Sequence, residues 1–160
     1  MRHVRQPRGV LHLALALPHL DGAPLVEQMR GFVERGYRAV KMKVGRENPA
    51  EDVERVGAVR RAIGPGTKLM LDVNQAWTAG EAIRRTKLLR PFDPFWLEEP
   101  ILADDRQGHA HVRRATQVPI AVGETMYTRY EFADYIRAEA VDIVQADIIR
   151  VGGFTEWMKI

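Results

Sequence analysis

The chain has 160 residues, 46% of them apolar and 28% charged, which is the make-up of a folded, soluble protein about the size of one average domain. With no cysteine, disulfides and thiolate metal sites are excluded. Any metal must be held by Asp, Glu, His or backbone oxygen, which favours magnesium, calcium or manganese over structural zinc. The net charge of +3 comes from arginines dispersed along the chain with no basic cluster interleaved with aromatics, so no nucleic-acid partner is implied.

The first apolar run, residues 9–17, is broken by His12 and is too short for a membrane span, which needs roughly 20 residues. Arg2, Arg5 and Arg8 before it resemble the charged end of a signal peptide, but Pro18-His19-Leu20-Asp21 stands where a small-residue cleavage site belongs. The default is therefore cytoplasmic, with no membrane partner, and residues 1–22 read as an atypical N-terminal segment. Residues 23–160 read as one domain of alternating helices and strands.

A helix is expected over Leu25–Arg35, closed by Gly36. A strand follows at Ala39–Val44, then a helix with Asn48 as N-cap, Pro49 at the first position, a Val53, Val56, Val59, Ile63 stripe and Gly64 as terminator. Further strands are expected at Lys68–Val73, Phe95–Leu97, Pro119–Val122 and Asp142–Ala146. Thr78 with Glu81, and Thr128 with Glu131, have capping-box spacing, each opening a helix just after a strand; Pro91 ends the first of these. His109 and His111 lie in an arginine-rich helical segment, where surface or packing roles fit them, as they fit His3, His12 and His19 upstream. Strand and helix alternate throughout, the α/β order of a parallel sheet or barrel. A closed TIM-type (β/α) barrel takes about 250 residues, so this length accommodates about five to six βα units. The expected fold is a partial barrel, and the chain reads as incomplete, ending inside an amphipathic segment at Trp157–Ile160.

Asp72, Glu98 and Glu124 each sit near the end of a short apolar run and are separated by 26 residues in both intervals. That repeat is close to the length of one βα unit, so the three acids are expected at the same level of three successive parallel strands, where they would form an all-oxygen pocket for a hard divalent cation. Singly, each acid also reads as a loop cap or an arginine partner; the equal spacing favours the metal. One strand earlier, Lys41 and Lys43 are two apart and face the same way. Such lysines also guard exposed edge strands, but the apolar Val40, Met42 and Val44 beside them indicate a buried parallel strand. Mutual repulsion and desolvation are expected to lower the pKa values of both amines toward those of a general base. Asp147, 23 residues after Glu124, has two readings, a further ligand or a group orienting a catalytic base. Glu99 points to the opposite face from Glu98 if the strand persists and reads as a structural group, held in an ion pair or a loop hydrogen bond.

The stretches Lys41-Met42-Lys43, Leu71-Asp72-Val73-Asn74-Gln75, Trp96-Leu97-Glu98-Glu99-Pro100, Val122-Gly123-Glu124 and Asp147–Gly153, in this order, resemble the enolase superfamily, specifically its mandelate racemase and acid-sugar dehydratase branch. The resemblance implies a magnesium ion, replaceable by manganese, held by Asp72, Glu98 and Glu124, with a small carboxylate substrate bound to it. Lys43 would remove the α-proton, Lys41 would bind the carboxylate and depress the pKa of Lys43, and Asn74 would lie near the substrate. Asp147 would orient a histidine on a following strand, which together with the remaining strands and the family's N-terminal capping domain is not recognised in this sequence. The implied reaction is dehydration of a sugar acid; racemisation or epimerisation of a carboxylate is the alternative, and an inactive fragment retaining its metal ligands, or a non-enzymatic binding module, are two others. Full-length relatives are expected to be homo-oligomers.

Overall fold

The computed structural model describes residues 13–16 and 20–160. The upstream arginines Arg2, Arg5 and Arg8, and the histidines His3, His12 and His19, lie outside the described residues. Six strands, β1 (Leu13–Leu15), β2 (Ala39–Lys43), β3 (Lys68–Asp72), β4 (Pro94–Glu98), β5 (Ile120–Val122) and β6 (Ile143–Val144), form one sheet in sequence order. Every neighbouring pair is parallel. Helices α1 (Gly22–Glu34), α2 (Pro49–Ile63), α3 (Ala79–Leu89), α4 (Arg106–Thr116), α5 (Arg129–Arg137) and α6 (Phe154–Trp157) follow the strands in turn. This is the α/β repeat of a (β/α) barrel, present as six consecutive units.

The sheet takes its first strand from the segment read above as separate from the barrel: Leu13 to Leu15 pair with Ala39 to Lys41. That strand carried no sequence signal because Leu-Ala-Leu lacks the β-branched and aromatic residues that mark strands. Elsewhere the local chemistry accounts for the boundaries. Asn48 Oδ1 accepts the Ala50 amide at 3.0 Å ahead of Pro49, and Gly64 leaves α2 with φ +71°. Both capping boxes form, Thr78 with Glu81 and Thr128 with Glu131. α3 closes at Leu89, and Pro91 lies in the 3-10 turn that follows. Among the described residues no helix is long and apolar enough to cross a membrane.

Strand periodicity divides the sheet into two faces. Val40, Met42, Leu69, Leu71, Leu97, Ile120 and Val122 join Leu25, Met29, Val56, Val59, Ile63 and Phe132 of the helices in one buried cluster. Ala39, Met70, Trp96 and Ala121 make a second, smaller cluster on the opposite face, with Ile143 packed against it. Lys41, Lys43, Asp72 and Glu98 share that second face, one step closer to the C-terminal ends of the strands. β2 lies between β1 and β3 and Lys41 is only 8% exposed, so these lysines are not edge guards. The apolar layer beneath them is the floor on which the polar site stands.

Candidate metal centre

Hydrogen-bond register puts Lys43 beside Asp72 and Asp72 beside Glu98. The next partner along, opposite Glu98, is Ala121, so Glu124 is not level with the other two acids, as equal spacing predicts, but three residues beyond. Equal counts do not make equal levels, because each loop and helix between strands consumes its own number of residues. Glu124 reaches the site through Gly123, whose φ is +140° and where a Cβ would come within 2.8 Å of Phe132 Cε1 and 2.9 Å of the Gln145 carbonyl carbon. Only glycine fits a backbone in that conformation and that close to its neighbours.

The outcome is that one carboxylate oxygen from each of Asp72, Glu98 and Glu124 lies within 4.8 Å of the other two. Oxygens on opposite sides of one ion are about 4.2 Å apart for magnesium and up to about 5 Å for calcium. The trio thus lies close enough together to share one hard divalent cation, and it offers oxygen alone. Among the described residues it is the one group of acidic or histidine side chains so arranged.

Asp72 and Glu98 are fully buried, with side chains 0% exposed. The amine of Lys41 lies 3.2 Å from Asp72 Oδ2 and donates to Glu98 Oε1. Lys43 lies 2.6 Å from Asp72 Oδ2 and donates to Asn74 Oδ1. Glu98 Oε2 also accepts from Trp96 Nε1 at 3.1 Å and Gln145 Nε2 at 3.0 Å. Asn74 Nδ2 donates to Glu124 Oε1 at 3.3 Å, joining the lysine to the third acid.

The expected depression of the lysine pKa values is corrected for Lys41. Burial does act to lower it, but the hydrogen bond and charge of Glu98, followed by those of Asp72, outweigh burial and raise it above the usual lysine value. Sequence shows the two lysines next to each other; it does not show the carboxylates across the strands. Glu124 is different, with no cation bonded to it among the described residues. Burial, then the charges of Glu99, Asp72 and Glu98, push its carboxyl above the usual range. This is a negative excess that a divalent ion would relieve.

Asp147 stands apart from the trio, its Oδ1 accepting the amides of Ile149 at 2.7 Å and Arg150 at 3.3 Å. Glu99 is buried and hydrogen-bonded to Gln75 and Thr125, the second of its two structural readings. Two further residues, Trp96 and Gln145, orient Glu98. Each sits two residues along from an inward-facing neighbour, and this period of two is the signal that the sequence holds for them.

Residues 24–160 match the enolase C-terminal domain-like family. The chain belongs to that family. Within the enolase family it is 41% identical over 141 residues to a 3,6-anhydro-alpha-L-galactonate cycloisomerase from Streptomyces coelicolor, covering 88% of this chain and 39% of the relative. Of solved structures, a racemase from Streptomyces coelicolor with bound magnesium superposes with a TM-score of 0.89 at 40% identity, covering 92% of this chain and 44% of the other. An L-talarate dehydratase from Polaromonas, complexed with magnesium and L-glucarate, superposes with a TM-score of 0.88 at 36% identity, covering 92% and 42%. The chain therefore spans about two fifths of the length of these enolase-family relatives.

Proposed function

We propose that this chain carries the metal-holding and proton-abstracting part of an enzyme that removes the α-proton of a carboxylate substrate, and that the reaction is dehydration of a sugar acid. The observation that carries the reading is the gathering of three carboxylates within reach of one ion beside the Lys43 amine. Asp72, Glu98 and Glu124 would hold Mg2+, with Mn2+ able to replace it. The bound ion supplies a Lewis acid that polarises the substrate carboxylate and stabilises the charge left when the proton departs. Lys43, in its neutral form, accepts that proton at Nζ. Its neighbours Asp72 and Asn74 fix where the amine points. Lys41 balances the charge of Asp72 and Glu98 and would interact with the substrate carboxylate. Asn74 lies at the exposed rim and contacts the substrate. Asp147, on the turn after β6, orients the group that acts on the opposite face.

The choice of a sugar acid is supported by the dehydratase that binds L-glucarate. Racemisation or epimerisation is the second reading, supported by the magnesium-bound racemase of similar fold; both begin with the same proton removal. We further propose a cytoplasmic protein with a small-molecule substrate whose full-length form is a homo-oligomer. The test is a panel of sugar acids with magnesium, following 2-keto product for dehydration and solvent deuterium incorporation at the α-carbon for proton transfer. Deuterium exchange that disappears in Lys43→Ala supports the assignment; exchange or turnover that persists in that variant refutes Lys43 as the base. A chain that binds magnesium yet exchanges no α-proton would instead be an inactive fragment with its ligands intact.

A further inference from the structure

Each of three site residues is followed in sequence by a partner in one part-buried hydrogen-bonded brace: Asn74 by Gln75, Glu98 by Glu99, Glu124 by Thr125. Glu99 is the centre of it. Its carboxylate is buried, the residue being 1% exposed, and its backbone adopts φ +39°, a conformation that residues with a Cβ occupy only when surrounding contacts enforce it. Oε2 accepts from Gln75 Nε2 at 2.9 Å, and Oε1 accepts from Thr125 Oγ1 at 2.7 Å. Its backbone is tied on both sides as well, the carbonyl accepting the Gln75 amide at 2.7 Å and the amide donating to Ala121 O at 2.9 Å. Gln75 Oε1 in turn accepts the Ala103 amide at 2.9 Å, and the Ala103 carbonyl accepts from the Tyr135 hydroxyl of α5. Both of its carboxylate oxygens are thus occupied within the brace.

The geometry points to Glu99 as a positioning residue that sets the spacing between Asn74, Glu98 and Glu124 by clamping together the loops after β3, β4 and β5. It acts through hydrogen bonds. A glutamine in its place can accept from Gln75 and donate to the Thr125 hydroxyl, which accepts as well as donates, so the uncharged isostere keeps the clamp. Alanine loses it.

This inference rests on the reading of the acidic trio as a cation site, and its test separates the two. Mn2+ binding is measured by calorimetry and electron paramagnetic resonance, and amide hydrogen exchange is followed over residues 73–78 and 122–128, for the parent chain, Glu99→Ala, Glu99→Gln and Thr125→Val. The expected result is a roughly 10- to 100-fold loss of Mn2+ affinity in Glu99→Ala, the range seen when groups supporting metal ligands are removed. Glu99→Gln keeps the hydrogen bonds while removing a charge beside Glu124 and retains clearly more affinity than Glu99→Ala, and Thr125→Val, which removes one arm and preserves shape, also falls between the parent and alanine. Exchange in both segments accelerates in Glu99→Ala and not in Glu99→Gln. If Glu99→Ala binds Mn2+ as tightly as the parent, or if Glu99→Gln loses as much affinity as alanine, the brace is overturned. If the parent itself binds no Mn2+, the metal reading fails, and the exchange data alone decide whether Glu99 clamps the loops.

Discussion

Lys41→Met is the perturbation whose consequences the structure fixes most fully. The methionine keeps the length of the aliphatic stem and removes the ammonium, which lies 3.2 Å from Asp72 and is bonded to Glu98. At an effective dielectric near 20, a charge pair at that distance interacts by roughly 5 kcal/mol, while burying the amine costs several kcal/mol in return. The lysine and its acids therefore gain little net stability by being charged together. Removing the lysine alone is another matter, because two carboxylates with 0% exposure lose a shared counter-charge, a change that costs about 3–5 kcal/mol. For a chain of this length that corresponds to a fall in Tm of roughly 6–20 °C. The assay is urea and thermal unfolding with and without magnesium at pH 7.5. The deficit is expected to shrink on adding magnesium, which replaces the missing positive charge. A loss below about 1 kcal/mol, or one indifferent to magnesium, would refute the reasoning.

Three further outcomes follow from individual contacts. Gly123→Ala forces a Cβ against Phe132 and the Gln145 backbone in a left-handed conformation; it should cost about 2–3 kcal/mol and weaken magnesium binding by displacing Glu124, both readable from unfolding curves with and without the ion. His109 is fully buried, and burial lowers its pKa below 6.5 despite its bond to the Asp105 carbonyl. The unfolded chain therefore binds the proton more readily, so this contribution to stability is complete above pH 6.5 and is lost as pH falls from there through the folded-state value. Comparing the urea midpoints of the parent and His109→Gln from pH 7.5 to 5.5 should show a shallower decline in the variant. Glu124→Gln should raise stability in magnesium-free buffer, because the charges that repel this carboxylate no longer act, and should remove the stabilisation that magnesium gives the parent.

Much of this architecture is legible in local chemistry. Asn48, Pro49 and Gly64 bound α2 because capping and φ preferences are decided by neighbours in sequence, and the same holds for the two capping boxes. The inward set of Lys41, Lys43, Asp72 and Glu98 follows from strand periodicity. What sequence hides are quantities set by packing between distant segments. The offset of Glu124 depends on the β4–β5 register, where Glu98 meets Ala121, and on the close packing around Gly123. The direction of the Lys41 shift depends on Glu98, 57 residues away. β1 exists because β2 offers it an edge, not because Leu13–Leu15 prefers extended backbone. The strained Glu99 backbone and its links to Gln75 and Thr125 have no local signature, since all three residues are ordinary loop types.

The central claim is that one divalent cation is shared by Asp72, Glu98 and Glu124. Calorimetric titration of the chain with magnesium tests it directly, alongside the Asp72→Asn, Glu98→Gln and Glu124→Gln variants. One ion per chain is expected, abolished by each substitution, with added stability of about 2.7 kcal/mol when the free ion reaches 100 times its Kd. Absence of binding to the parent chain, or binding that survives all three substitutions, would contradict it.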